Sequence, residues 1–321
     1  MAFERMFSLC TVCNVLCDID SVICVYCKKW FHIKCTSLST SKSQLLNNSD
    51  VTYHCSMCTV SQYAGISHNI NPNEILPDEF SSDCRYYVGN IQHFSIMLQE
   101  CTSIVHINIR SLAKNLPLSE AFICQLNHSP DIIAISETTL RSTTPANFGY
   151  NVNIYGYNFV HANTETNAGG FGFYIKEGVD FNILPNFGIY SSDCENLWIE
   201  VKLHNTECAI GVVYRHPAPN HKEFDEKLFK VVDNLNNNKY TYFICGDFNI
   251  NLMKYSRDNT VTEYVDVLHS LSCKALISKP TRITEQSSAL IDHIYKWYKA
   301  CHCEWDIYFW PFRSAANIFY C

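Results

Sequence analysis

The sequence predicts an α+β fold, a four-layer α/β sandwich of two packed β-sheets flanked by helices, preceded by a small cysteine-rich module. Three observations carry this. Seven short apolar runs rich in β-branched and aromatic residues lie between residues 103 and 295. Two helical patterns fall among them, and eight of the 18 cysteines crowd into the first 58 positions. Many strands with few helices call for two stacked sheets whose outer faces the helices cover.

The runs appear in order. Ser103–Ile109 and Asp131–Ser136 come first, then Gly172–Ile175 and Leu197–Val201. Ala209–Tyr214, Tyr240–Cys245 and Leu290–Tyr295 follow. Each is four to eight residues long and bounded by turn formers, the signature of a buried strand. Leu116–Leu126 and Lys222–Leu235 carry the helical period. Gly169-Gly170-Phe171-Gly172 reads as the start of a strand and not a phosphate loop, because no helix pattern follows it.

Composition divides the chain into four parts. Residues 1–60 are nearly neutral and hold the cysteine cluster; residues 61–100 carry one Lys/Arg against five acids and the turn signals Asn71-Pro72-Asn73 and Leu76-Pro77-Asp78, marking a linker. The strand-rich domain spans 101–296, and 297–321 forms a divergent aromatic tail. Hydrophobic content of 47% excludes a disordered chain. No uncharged apolar run approaches the roughly 18 residues that span a bilayer. Met1–Cys17 lacks a basic start and a small-residue cleavage site, so the expectation is a reduced, intracellular protein, nuclear or cytoplasmic, not secreted.

The front cluster pairs as Cys10-x2-Cys13, Cys24-x2-Cys27, His32-x2-Cys35 and Cys55-x2-Cys58. A two-residue gap lets both thiolates of a tight turn face one ion, and eight ligands suffice for two closed tetrahedral zinc sites. Cys17 falls outside the pairing and reads as a core thiol. The order of four Cys, one His and three Cys, with Trp30 two residues before His32, resembles a PHD finger over about residues 9–59. The resemblance implies a cross-brace. One zinc takes Cys10, Cys13, His32 and Cys35, the other Cys24, Cys27, Cys55 and Cys58. It also implies a histone-tail or other basic-peptide partner. Trp30 is then either a wall of a methyl-lysine cage or a brace against the zinc site, and Asp18 and Asp20 offer carboxylates to a basic peptide.

In the large domain, polar residues stand at strand ends. They are Asn108, Glu137, Tyr214, Asp247 and Asn249 within Gly246-Asp247-Phe248-Asn249, and Asp292. Phosphodiester hydrolysis needs a divalent cation to offset charge, a group to orient or deprotonate water, and donors to the phosphorane oxygens. Glu137 suits Mg2+ or Mn2+, Asp247 suits water, and Asn108, Asn249 and Tyr214 are neutral donors.

Taken together, seven blocks resemble the endonuclease/exonuclease/phosphatase superfamily over residues 103–296. They are Asn108-Ile109-Arg110-Ser111-Leu112, Pro130–Thr138, Gly169–Ile175, Leu197–Glu200, Val212–Pro217, Gly246–Asn249 and Leu290–Ile294. The closest likeness is to the apurinic-type endonuclease of non-LTR retrotransposons, in whose polyproteins a PHD-like finger also precedes this domain. The resemblance implies a metal side of Asn108 and Glu137. Tyr214, Asp247 and Asn249 then meet the scissile phosphate or the water, and Asp292 matches a buried Asp that orients a catalytic His.

The sequence departs from that family at its end. Members close with a strand carrying Ser-Asp-His. Residues 296–321 hold only His302 and Asp306, neither in an Asp-His pair. Asp292-His293 is such a pair but matches the earlier strand better. The expectation is a C-terminally truncated domain with an open sheet edge, weakened or inactive. DNA is the implied partner, although residues 101–295 carry 15 Lys/Arg against 20 Asp/Glu. A DNA site must then be a local patch, with Arg110, Arg215, Lys254, Arg257 and Arg282 as candidates. Two other readings stand beside the nuclease: a zinc-finger chromatin-binding protein with a relic domain, and a phosphodiesterase or phosphatase of small substrates, which the acidic balance favours.

Overall fold

In a computed structural model, the described residues run from 102 to 297 with breaks at 127, 142–151, 165–167, 190–192, 204–205, 219 and 284–286. They also include most of 8–35, Tyr53, Cys55, and the backbone of three strands at 85–87, 304–309 and 315–320. Chain order begins β1 (Ser21–Ile23), β2 (Trp30–His32), β3 (Arg85–Tyr87), β4 (Ser103–Asn108), α1 (Leu112–Gln125) and β5 (Ile132–Ser136). It continues β6 (Tyr157–Ala162), β7 (Phe171–Lys176), β8 (Phe181–Ile183), β9 (Cys194–Leu203), β10 (Thr206–Arg215), α2 (Lys222–Asn237) and β11 (Thr241–Asp247). Then come α3 (Asn259–Ser270), β12 (Cys273–Ala275), β13 (Arg282–Ile283), β14 (Ser288–Ala289), β15 (Asp292–Trp297), β16 (Glu304–Phe309) and β17 (Ala315–Tyr320).

Two large sheets make the large domain, with β13 and β14 pairing as a separate small hairpin. One has seven strands in the order β3-β16-β17-β4-β5-β7-β6, the other six in the order β12-β15-β11-β10-β9-β8. The parallel pairs β4–β5 and β10–β11 need crossovers, and α1 and α2 supply them. Alternation sorts the side chains. Val105, Ile107, Ile133 and Ile135 meet Leu112, Leu116 and Ile123 of α1 in one core. Ile104, Ala134 and Phe173 share a second core with Ile210, Val212 and Ile244 of the other sheet, which continues to Phe224, Leu228 and Tyr264 of α2 and α3. The layers are therefore helix, sheet, sheet, helices, as expected from the sequence. Burial on both faces explains why Ile132-Ile133-Ala134-Ile135 lacks polar alternation.

Every expected strand is present. Helix α1 starts four residues before the expected boundary and holds Pro117 inside it, where proline removes one backbone bond and crowds the carbonyl one turn earlier. Helix α3 was not expected. It carries Val261, Tyr264, Val265 and Leu268 at i, i+3, i+4, i+7, and Asp258 caps it by accepting from the Thr260 amide at 3.1 Å.

The edge beside β4 is not open. Strand β17 pairs with it antiparallel, with Ala316 opposite Ile107 and Tyr320 opposite Ser103. The linker and the tail thus both add strands to the seven-stranded sheet: β16 pairs with β17, and β3 with β16. The physical reason is that a strand edge offers N–H and C=O groups that any extended segment satisfies, whatever its motif.

In the front module, β1 and β2 form an antiparallel hairpin. Trp30 is only 7% exposed and packs with Cys10 and Cys17, so it braces the ligand cluster and is not a cage wall. Cys17 is the core thiol the pairing left over.

Candidate active site and metal centre

Strand register builds the site. Glu195 of β9 stands opposite Tyr214 of β10, Tyr214 beside Asp247 of β11, and Asp247 opposite Asp292 of β15. Register partners project from the same face of a sheet, so these four side chains form one transverse row. The facing sheet ends its β4 strand at Asn108, paired with Ser136, and Glu137 follows directly. The Asn108 amide donates to Glu137 Oε1 at 2.9 Å and to Asp247 Oδ2 at 2.8 Å, joining the two sheets.

The loops here hold unusual backbone. Arg110, Ser111, Glu137, Thr139 and Asn249 all have positive φ, a conformation that costs roughly 1 kcal/mol or more for non-glycine residues and gathers at working sites. Inter-loop bonds hold it. Ser111 N donates to Glu137 O at 2.7 Å, Leu112 N to Thr138 O at 2.9 Å, and Thr139 N to Gly169 O at 2.8 Å. Gly169 and Gly170 stand at the start of β7 as expected. A Cβ on Gly169 would lie 2.5 Å from Glu195 Oε2, which explains the glycine.

Burial and mutual repulsion set the electrostatics. Asp247 is held well above the usual carboxylate range by burial, then by the charges of Asp292 and Glu137, with the Asn249 amide opposing. Burial pushes Asp292 up to about 6, although Thr281 and Arg110 pull the other way. Burial, Glu137 and Asp247 also raise Tyr214, which keeps its hydroxyl protonated. Asn108 Oδ1 and Asp292 Oδ1 are buried without a hydrogen-bond partner. Two orphaned oxygens beside crowded carboxylates form an all-oxygen donor set that fits a hard divalent cation such as Mg2+ or Mn2+.

All six residues singled out in the sequence meet at this end of the sandwich, but Asn249 is turned. Its side-chain nitrogen donates to Arg215 O at 2.7 Å, and its backbone N–H to Asp247 Oδ1 at 3.0 Å. Asp292-His293 does not form a dyad. Neighbours on a strand point to opposite faces, and His293 bonds Ile250 O at 2.9 Å and stacks on Phe248. His302 lies outside the described residues.

Arg215 leaves the expected basic patch. It is fully buried, paired through Nε with Asp193 at 3.1 Å and donating to the Ala218 and Asn220 carbonyls at 3.1 Å. Lys254, Arg257 and Arg282 are exposed, and Arg110 is half-buried near Asp292 and Tyr214. Sequence reading missed Glu195, Thr164 and Thr281. Glu195 alone left a signal, since it shares its face of β9 with Leu197 and Ile199.

The front module brings together the ligand atoms of Cys10, Cys13, His32 and Cys35, and separately those of Cys24, Cys27 and Cys55, each set within 4.8 Å. Cys58 lies outside the described residues. His32 Nε2 donates to Leu16 O at 2.9 Å, which turns the unprotonated Nδ1 toward Cys13 Sγ at 3.2 Å. That tautomer is the one a metal-bound histidine adopts. The sulfurs of Cys10 and Cys24 accept from the His32 and Cys55 amides at 3.3 Å.

The fold is similar to several solved structures. The endonuclease domain of TRAS1, a telomere-specific non-LTR retrotransposon, superposes with a TM-score of 0.52 at 13% identity over 68% of this chain and 97% of its own. The AP endonuclease LMAP from Leishmania major gives 0.54 at 13% identity over 80% and 98%. The 3'-5' exonuclease NExo from Neisseria meningitidis gives 0.50 at 15% identity over 68% and 98%. No curated protein matches the sequence. No described helix is long and apolar enough to cross a membrane. The sequence model of the endonuclease/exonuclease/phosphatase family matches residues 90–313, and the chain belongs to that family.

Proposed function

We propose that the chain is a metal-dependent, phosphodiester-cleaving DNA endonuclease of retrotransposon origin with a two-zinc PHD-type finger ahead of it. The observation that carries this reading is the bridge from Asn108 to Glu137 and Asp247 across the two sheets, set against the row of Tyr214, Asp247 and Asp292. Asn108 Oδ1 and Glu137 would hold Mg2+ or Mn2+. Such an ion supplies charge neutralisation at the phosphate.

The chain's own groups account for the proton traffic. Asp247, held basic by burial and its neighbours, takes a proton from the attacking water. A P–O bond forms, and the bond to the leaving sugar oxygen breaks. Tyr214, kept protonated, donates to a phosphate oxygen or returns a proton to the leaving oxygen. Asn249 fixes the Asp247 carboxylate through its backbone N–H. The exposed Lys254, Arg257 and Arg282 are the cations offered to the DNA backbone, and the formal net charge of −7 argues against strong unaided binding without excluding cleavage. In the finger, Cys10, Cys13, His32 and Cys35 hold one zinc; Cys24, Cys27, Cys55 and Cys58 hold the other.

The test is nicking of supercoiled plasmid with Mg2+ or Mn2+, comparing the unaltered chain with Glu137→Ala and Asp247→Ala. Both variants are expected to lose activity. Nicking that persists in both, or that survives chelation, would refute the assignment.

A further inference from the structure

A phosphate leaving this site needs a positively charged or strongly donating group, and β17, which pairs with β4 beside Asn108, begins Ala315-Ala316. We infer that His216 is a catalytic residue of the site proposed above, contacting the scissile phosphate, and that Glu195 is its positioning residue.

Sequence and backbone place the ring. His216 follows β10 by one residue, two positions beyond Tyr214, and therefore continues on the face of the sheet that carries the site row. Pro217 biases the preceding residue toward an extended backbone, which preserves that alternation. The His216 N–H donates to Asp193 O at 2.7 Å, pinning the turn. The imidazole then lies edge to face with the Tyr214 ring, centroids 5.0 Å apart, one row nearer the open end. Its side chain is 22% exposed, so solvent and substrate reach it.

The carboxylate beneath it is built in. Glu195 Oε1 accepts from Thr164 Oγ1 at 2.6 Å and Oε2 from the Gly170 amide at 2.5 Å. The missing side chain at Gly169 leaves room for it. With both oxygens fixed, Glu195 Oε1 stands 3.4 Å from His216 Nε2, an ion-pair distance to a protonated ring. Nε2 is thus directed at Glu195. Nδ1 has no hydrogen bond among the described residues, and it is the nitrogen left to donate to a phosphate oxygen.

The other histidines near this end are committed elsewhere. His106 is fully buried one row deeper and bonded to Ser136 Oγ at 3.1 Å, while His293 faces the helix layer. His216 is the imidazole at the mouth among the described residues.

The inference rests on the nuclease reading, and one experiment separates the two. The full chain, His216→Ala, His216→Asn, Glu195→Gln and Glu137→Ala are compared for Mg2+-dependent plasmid nicking, with and without added imidazole. Thermal melting checks that each variant folds. Removing a transition-state donor should lower kcat about 10²-fold in both His216 variants with little change in KM. Imidazole should restore part of the His216→Ala loss, and Glu195→Gln should cost about 10-fold. If the full chain nicks while His216→Ala and His216→Asn stay within about threefold of it, the inference falls and the nuclease reading stands. A loss that imidazole leaves untouched marks a structural role and also overturns it. A full chain no more active than Glu137→Ala overturns both.

Discussion

Asn108 on β4 donates its amide to Asp247 on β11 at 2.8 Å, although 139 residues separate them in the chain. This contact ties the rims of the two sheets and places a neutral donor between two carboxylates, since the same amide reaches Glu137. Removing it by Asn108→Ala leaves the buried Asp247 without its side-chain donor. Unfolding free energy should fall by about 1–3 kcal/mol in urea melts, and nicking should drop to the level of Glu137→Ala. A variant that melts normally and nicks normally would remove Asn108 from the site.

Asp292 gives a pH signature. Its folded pKa is raised to about 6 from an ordinary value near 3.8. The folded state therefore favours the protonated form. The stability this contributes is present in full below pH about 4 and is lost as pH rises through about 6, a swing of about 3 kcal/mol. Asp247 shifts in the same direction. In the presence of a chelator, Asp292→Asn should melt higher than the parent at pH 7.5, and the gap should close toward pH 4. Mg2+ should raise the parent's melting temperature at pH 7.5 and the variant's less. An Asp292→Asn chain that melts lower than the parent at pH 7.5 contradicts the sign.

Arg215 belongs to the interior and not to the basic surface proposed for DNA. It is paired with Asp193 and bonded to the Phe248, Ala218 and Asn220 carbonyls while fully buried. Breaking such a pair from one side costs about 3 kcal/mol. Arg215→Met should lower the urea midpoint, whereas Arg257→Ala and Arg282→Ala should leave it unchanged and flatten the salt dependence of DNA binding. An Arg215→Met protein of normal stability with weakened DNA binding would reverse the assignment.

Gly246 opens the Gly246-Asp247-Phe248-Asn249 block with φ of 153°, and a Cβ there would overlap the Val213 carbonyl oxygen on the neighbouring strand. Gly246→Ala must push β10 and β11 apart where Tyr214 and Asp247 sit side by side. The expected cost is on the order of 3 kcal/mol, read as a lower melting temperature together with lost nicking. Equal stability would mean the strands yield without penalty.

The front module should bind two zinc ions per chain by elemental analysis. Cys13→Ser and Cys24→Ser should each lose about one, and Cys17→Ala none, because Cys17 packs against Trp30 outside both clusters. Chelation should unfold this module first, since a small metal site supplies much of its own folding energy. Zinc lost equally from Cys17→Ala and Cys13→Ser would break the proposed ligand sets.

Much of this protein is written locally. Alternating or continuous apolar runs such as Ile132–Ile135 define strands through side-chain period and burial, which neighbours in sequence decide. The cysteine spacing likewise anticipates the two clusters, Cys10, Cys13, His32 and Cys35 in one and Cys24, Cys27 and Cys55 in the other, because residues three apart on a tight turn face the same way. The polar residues at strand ends were singled out as a set, and strand register does bring Tyr214, Asp247 and Asp292 into one row facing Asn108 and Glu137. Folding alone decided where each side chain goes. Asp292 and His293 are adjacent in the chain, yet the pleat sends one into the site and the other toward Phe248. Arg215 reads as a surface cation until its partners, Asp193 and the carbonyls beyond Pro217, are seen to enclose it. The tail carries no recognisable closing motif, yet β17 completes the edge beside β4, because sheet pairing is made by backbone groups common to every residue. Glu195 and His216 come together only through the pairing of β9 with β10 and the start of β7, contacts that no local pattern encodes.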